Sequence, residues 1–187
     1  MVEKRKRGTM RIIVIADIDD LHWKCGHGSA DVLLSCGDVY DQVILEVAEA
    51  YNCQTIFAVK GNHDRSSPFA EPIIDLHLQT IKHGGFTFGG LNGACKYKPR
   101  GNFQYCQREV ENLSSTLSMA DIFLSHNSPR GIHDQEDEAH LGFEGLNSYI
   151  KRVCPKLLFH GHQHVDRETS IGETTVIGIY RYKVICV

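Results

Sequence analysis

Three histidines close the stretch LLFHGHQHVD (157–166): His160, His162 and His164, set at alternate positions. In an extended chain residues i and i+2 face the same way, so two of them could share a bound ion if the strand continued. Other chemistry-bearing residues end similar runs. RIIVIAD (11–17) stops at Asp17, DVLLSCGD (31–38) at Asp38, QTIFAVKGNHD (54–64) at Asn62, His63 and Asp64, and DIFLSHNSP (121–129) carries His126. Two carboxylates, one amide oxygen and the imidazoles of His126, His162 and His164 make a mixed oxygen and nitrogen donor set. Such a set suits Mn, Fe or Zn better than Ca, which takes oxygen, or Cu(I), which prefers sulfur. Six candidates exceed the four ligands of a tetrahedral structural zinc site. Two ions bridged by one carboxylate would use them, and ions roughly 3.5–4 Å apart clamp a phosphoryl group for attack by a polarised water. His63, directly after Asn62, could give the leaving oxygen its proton.

These residues meet only if the strand ends converge. Each run is short, apolar and closed at once by Gly-containing polar chemistry, as expected of strands buried on both faces. Helical patterns lie between them. DQVILEVAEAY sets Val43, Ile44, Val47 and Ala48 on one face. Phe103, Cys106, Val110, Leu113 and Leu117 recur at spacings of 3, 4, 3 and 4, which predicts an amphipathic helix across them. Phe143, Leu146, Ile150 and Val153 repeat that pattern. TIKHGGFTFGG (80–90) reads as a hairpin turning at Gly84-Gly85, and TTVIGIYRYKVICV as two more strands. Strands alternating with helices predict an α/β layer structure, in which ligands gather at the carboxyl ends of the strands.

The 187 residues, 42% apolar and 23% charged, suffice for one domain with a sizeable core. We expect it at 10–187, with residues 1–9 as a basic, disordered extension. Lack of an eighteen-residue apolar stretch excludes a membrane-spanning helix. The net charge of −3 gives no general field for polyanions and argues against a nucleic-acid partner. Seven scattered cysteines without a CxxC pair suggest reduced thiols in a cytoplasmic protein.

GDVYD (37–41), GNHD (61–64), LSHNSPRG (124–131) and GHQH (161–164), in that order after IAD, resemble the calcineurin-like metallophosphoesterases over residues 11 to about 187. The resemblance implies a four-layer α/β/β/α sandwich with a dinuclear centre. It also implies hydrolysis of a small phosphomonoester or phosphodiester by a metal-bridging hydroxide. Carried over by position, Asp38 would bridge two divalent ions, Mn or Fe/Zn. Asn62, His126 and His162 would complete one shell, and Asp17 and His164 the other. His63 would be the general acid with Asp64 orienting its imidazole, and Asp41 would support the ligands. His160 falls outside the motif and reads as a structural residue of its strand.

The chain departs from the family at D-x-H, where it has Asp17-Ile18-Asp19. Asp19 could supply a carboxylate in place of the histidine, favouring a harder ion such as Mn or Mg. Alternatively it caps a helix, and that ion is weak or absent. A degraded metal site would suit a non-catalytic scaffold that binds partner proteins. Arg65, Arg130 and His133, with Asp134, are the expected substrate contacts at the rim. Lys96, Lys98 and Arg100, among the aromatics of KYKPRGNFQY, could grip a phosphate or stack a base, or could form a solvated loop.

Overall fold

The structure, a computed structural model, describes residues 9–187, so the expectation for residues 1–9 lies almost wholly outside the described residues. Two sheets stack face to face. The first is ordered β13 (Arg181–Cys186), β1 (Arg11–Ala16), β2 (Val32–Ser35), β3 (Ile56–Ala58) and β4 (Ile74–Asp75), parallel except at the β13 edge. The second is ordered β11 (Arg167–Ile171), β12 (Thr174–Gly178), β10 (Leu157–His160), β9 (Ile122–Ser125), β6 (Phe86–Leu91) and β5 (Thr80–His83). Its four central strands are parallel and both edges antiparallel. Between the sheets, Ile12, Val14, Leu34 and Phe57 meet Phe88, Leu124, Phe159 and Ile177. The Phe57 and Phe88 rings lie 5.0 Å apart across the gap. Burying one such ring stabilises the fold by about 1.5–3 kcal/mol.

The two-residue period of a strand sends the alternate set outward. Ile13, Ile15 and Leu33 pack under helix α1 (Asp41–Ala50), which buries Val43, Ile44, Val47 and Ala48 as its sequence predicts. On the far side Phe123, Leu158 and Val176 pack under α2 (Gln107–Thr116) and α3 (Glu144–Val153). The layers are therefore helix, sheet, sheet, helix: the expected α/β/β/α sandwich. The β5–β6 hairpin turns at Gly84 (φ 56°) and Gly85 (φ 87°), positions where the left-handed backbone calls for glycine.

Helix α2 begins later than the spacing of its apolar residues predicts. Phe103 turns left-handed (φ 44°) and Gln104 and Tyr105 are extended, and the carbonyls of Phe103 and Tyr105 accept the N–H groups of Ala94 and Lys96. Gln104–Tyr105 thereby form β8 beside β7 (Ala94–Cys95). The helix starts only after Cys106, whose N–H donates to the Glu109 carboxylate at 2.7 Å. The two C-terminal strands form as expected but join different sheets, so Ile179 and Tyr180 cross from one to the other.

Candidate metal centre

The donors divide by sheet. Asp17, Asp38 and Asn62 follow β1, β2 and β3 of the first sheet, while His126 follows β9, and His162 and His164 follow β10, of the second. Strand β10 stops at His160, so the three histidines do not continue as an extended row. His162 (φ 65°) and His164 (φ 51°) are left-handed, as are Asp17 (φ 55°) and Asp38 (φ 54°). Left-handed backbone at non-glycine residues costs about 1–3 kcal/mol each and persists only where the surroundings impose it. Here the ties are visible. Asp17 Oδ2 accepts the His162 N–H at 2.8 Å, and Asp38 Oδ1 accepts the His63 N–H at 2.8 Å. Asp64 Oδ2 accepts two more, from Asp38 (2.8 Å) and Gly61 (2.7 Å). A Cβ on Gly61 would collide with the Asp38 carboxylate, which explains the glycine of GNHD.

Asp38, His126 and His162 each bring a donor atom within 4.8 Å of the others. The Nδ1–H of His126 donates to the Cys36 carbonyl at 2.8 Å, which leaves Nε2 facing Asn62 Oδ1 (3.1 Å) and Asp38 Oδ2 (3.2 Å). His162 Nε2–H donates to the Ala139 carbonyl at 2.7 Å, leaving Nδ1 as its donor atom. A backbone carbonyl holding the far ring nitrogen is the usual support of a metal-ligating imidazole. Beside them Asp17 Oδ1 is buried without a hydrogen bond, its nearest cationic neighbour being His164 Nε2 at 3.6 Å. Lone pairs of a carboxylate, an amide and two imidazoles thus converge, with the buried Asp17 Oδ1 nearby. Positive charge is needed there, and a divalent cation fits the donor set.

Without an ion, a proton takes that role. Burial pushes His126 down, but the charges of Asp38 and Asp17 and its hydrogen bonds outweigh this and hold it at about 9. Burial likewise raises Asp38, yet the His126 imidazolium and the His63 N–H keep it at about 2. Burial depresses His160 and His162 to about 3, and burial with the Asp38 charge lifts Asp64 to about 6.

These shifts set the pH dependence of the metal-free protein. Between pH 3 and 6.5 the unfolded chain protonates both His160 and His162 while the fold keeps them neutral, so stability rises with pH. Asp64 opposes this between 3.8 and about 6, one group against two. The Asp38 contribution is present above 3.8 and lost as pH falls through about 2. The His126 contribution is complete below 6.5 and lost as pH rises through about 9. Calorimetry of metal-free protein is therefore expected to show a Tm maximum near pH 6.5. A Tm still climbing at pH 9 contradicts these assignments.

A family model for the calcineurin-like phosphoesterase superfamily domain matches residues 10–178. The chain belongs to this family. No curated protein matches it. Among solved structures similar to this phosphoesterase domain is TT1561 of Thermus thermophilus, with a TM-score of 0.60 and 14% identity over 92% of this chain and 90% of that one. Another is a putative 5′-nucleotidase from Staphylococcus aureus in complex with alpha-ketoglutarate, at 0.54 and 11%, over 95% and 50% of the two chains. Wild-type Vps29 complexed with zinc from Entamoeba histolytica aligns at 0.49 and 15%, over 92% and 74%. At such identities the likeness is one of fold.

The phosphoesterase domain opens a cavity of about 550 Å³ at these strand ends, lined by Asp17, Asp19, Asp38, Asn62, His162 and His164, with His63 and Asp64. His126 lies behind them, fully buried. Asp19 faces the cavity exposed, and no helix follows it; the neighbouring Asp20 is the residue that caps the turn, accepting the His22 N–H at 2.8 Å. The capping alternative for Asp19 is thereby removed. The four expected substrate contacts, Arg65, Arg130, His133 and Asp134, are not among the residues that line the cavity. Arg130 is paired with Asp134 at 3.1 Å, and Arg65 is exposed. Both ring nitrogens of His133 are engaged, with His160 Nε2 (2.9 Å) and Thr169 Oγ1 (2.8 Å). Asp41 accepts the Ala70 N–H at 2.7 Å. In their place the cavity has Tyr40, Tyr97, Tyr180 and His140. Tyr97 was visible as an aromatic among the cations of 96–105, whereas nothing local marks Tyr180.

Gln163, the third residue of GHQH, is a buried hub of the same domain. Its Nε2 lies 3.2 Å from Asn127 Oδ1, 3.1 Å from Ser128 Oγ and 2.9 Å from the His140 carbonyl. It thus ties the turns bearing His126 and His162 to the rim loop. Gln163→Leu keeps the bulk but removes the donors. We expect about 1–3 kcal/mol of destabilisation and about 10–100-fold weaker Mn²⁺ binding by isothermal titration. Destabilisation with unaltered Mn²⁺ affinity would limit Gln163 to holding the fold.

Proposed function

We propose that this chain is a metal-dependent phosphoesterase that hydrolyses a phosphomonoester or phosphodiester. The observation that carries this reading is the convergence of Asp38 Oδ2, Asn62 Oδ1 and His126 Nε2, with the buried Asp17 Oδ1 facing only His164 Nε2 at 3.6 Å among the described ion pairs. Asp38, Asn62, His126 and His162 would hold one divalent ion; Asp17, Asp38 and His164, with the exposed Asp19, would hold a second. Mn or the Fe/Zn pair suits these donors. Bound there, such ions act as Lewis acids on phosphoryl oxygens and lower the pKa of water.

The protein's own groups do the rest. His63 stands exposed at the cavity with its backbone fastened to Asp38, so its imidazole is free to protonate the leaving oxygen. Asp64 fixes where His63 stands by binding the backbone at Gly61 and Asp38. Buried His126 and His162 are held by carbonyls, so the donor set meets substrate already in place.

The test uses metal-stripped protein with bis-p-nitrophenyl phosphate and p-nitrophenyl phosphate, with and without Mn²⁺. Turnover of either only with Mn²⁺ supports the proposal. Protein shown to hold Mn²⁺ yet silent on both would overturn it in favour of a scaffold that binds partner proteins. That second reading draws on the outer half of the site, where His164 is 59% exposed and Asp19 makes no hydrogen bond among the described residues.

A further inference from the structure

We propose that the substrate is a phosphodiester bearing planar aromatic groups on both sides of the phosphorus. The inference rests on the phosphoesterase reading and narrows it. Strand order β1-β2-β3 sets Asp17, Asp38 and Asn62 in a row at neighbouring strand ends. A tyrosine stands at each end of that row. At one end Tyr180 packs on His164, ring centroids 5.2 Å apart; at the other the Asn62 Nδ2–H group lies 3.5 Å from the Tyr97 hydroxyl. Tyr40 lies two residues beyond Asp38. It is 45% exposed, and its side chain has no hydrogen bond or ring contact among the described residues. All three line the cavity.

A phosphoryl group alone fills a small part of about 550 Å³, which is within the range of clefts that enclose whole organic ligands. Aromatic rings around a polar centre, here the exposed Tyr40 and Tyr180 and the half-buried Tyr97, are what a flat, apolar substituent would cover. A monoester has one substituent and would use one end of the row. A diester has two, directed apart from phosphorus, and the site has a ring for each. The two end rings are each backed by a cation, Lys98 Nζ 4.9 Å from the Tyr97 centroid and the Arg181 guanidinium 5.6 Å from that of Tyr180. Neither cation forms an ion pair among the described residues. They hold the rings and add positive charge beside a singly anionic diester.

The experiment compares bis-p-nitrophenyl phosphate with methyl p-nitrophenyl phosphate on Mn²⁺-loaded protein. Both are diesters that lose the same phenolate, so the second substituent is what differs. The readout is the ratio of their kcat/KM values in wild type and in variants, which cancels intrinsic reactivity. Tyr97→Leu and Tyr180→Leu are each expected to lower the aryl-to-methyl ratio about tenfold, whereas Tyr97→Phe and Tyr180→Phe keep it. Tyr40→Leu, whose side chain has no hydrogen bond or ring contact to lose among the described residues, repeats the test at a third position. A ratio unchanged in all three leucine variants overturns the inference. Hydrolysis of p-nitrophenyl phosphate with neither diester cleaved also overturns it but leaves the phosphoesterase reading standing. Silence on all three substrates removes that reading itself.

Discussion

Asp38→Asn is expected to lower Mn²⁺-dependent kcat/KM by about a thousandfold or more, equivalent to about 4 kcal/mol of lost transition-state stabilisation. The substitution keeps size, and the amide oxygen can still accept the His63 N–H that Asp38 Oδ1 now accepts at 2.8 Å. The Asp38 N–H still reaches Asp64. What disappears is a negative charge beside His126 Nε2, at the point where both halves of the donor set meet. An ion bound there loses its shared carboxylate, and a metal-free His126 loses the neighbour that holds its proton. Both consequences are measurable: weaker Mn²⁺ binding by titration calorimetry, and a His126 imidazole that titrates lower by NMR. A loss under tenfold would mean that Asp38 is not the shared ligand.

His63→Ala is expected to reduce kcat by about 10²–10⁴-fold for a substrate with an alkoxide leaving group. For a p-nitrophenyl ester the loss is smaller, because p-nitrophenolate departs without a proton. Mn²⁺ affinity is expected to hold, since His63 is tied to the site by its backbone N–H, which alanine retains. The dependence of rate on leaving-group basicity is therefore the decisive readout. Steepening in the variant supports proton donation by the imidazole, while an equal loss across leaving groups assigns His63 to electrostatics or positioning.

Much of this was legible in the amino-acid sequence. RIIVIA, VLLS, IFLS and LLFH announce central parallel strands because burial on both faces leaves a continuous apolar run. Polar residues directly after such runs stand on the rim by topology alone, so Asp17, Asp38, Asn62, His126, His162 and His164 could be placed together. Other features depend on partners distant in sequence. The side-chain period over 103–117 is blind to the backbone of 103–105 being committed to 94–96. The alternation of His160, His162 and His164 presumes an extended chain, and the backbone turns left-handed after Gly161. His133 follows the His126 strand closely, yet nearness along the chain does not fix direction, and its ring binds His160 and Thr169. Tyr180 reaches the cavity because the chain changes sheets there, a fact with no local signature.

The division of donors between the sheets has a mechanical consequence. Oxygen comes from one sheet and nitrogen from the other, so a cation held by both works as a rivet through the seam of the sandwich. Behind the hydrogen bonds His162 makes to Asp17 and His126 to the Cys36 carbonyl, that seam is closed by apolar side chains, which resist separation but permit sliding more readily than a coordination bond does. Force applied across the sheets would be met at the active rim first. Loading the metal should then slow amide exchange in β1, β2, β9 and β10 together, well away from any residue that touches substrate.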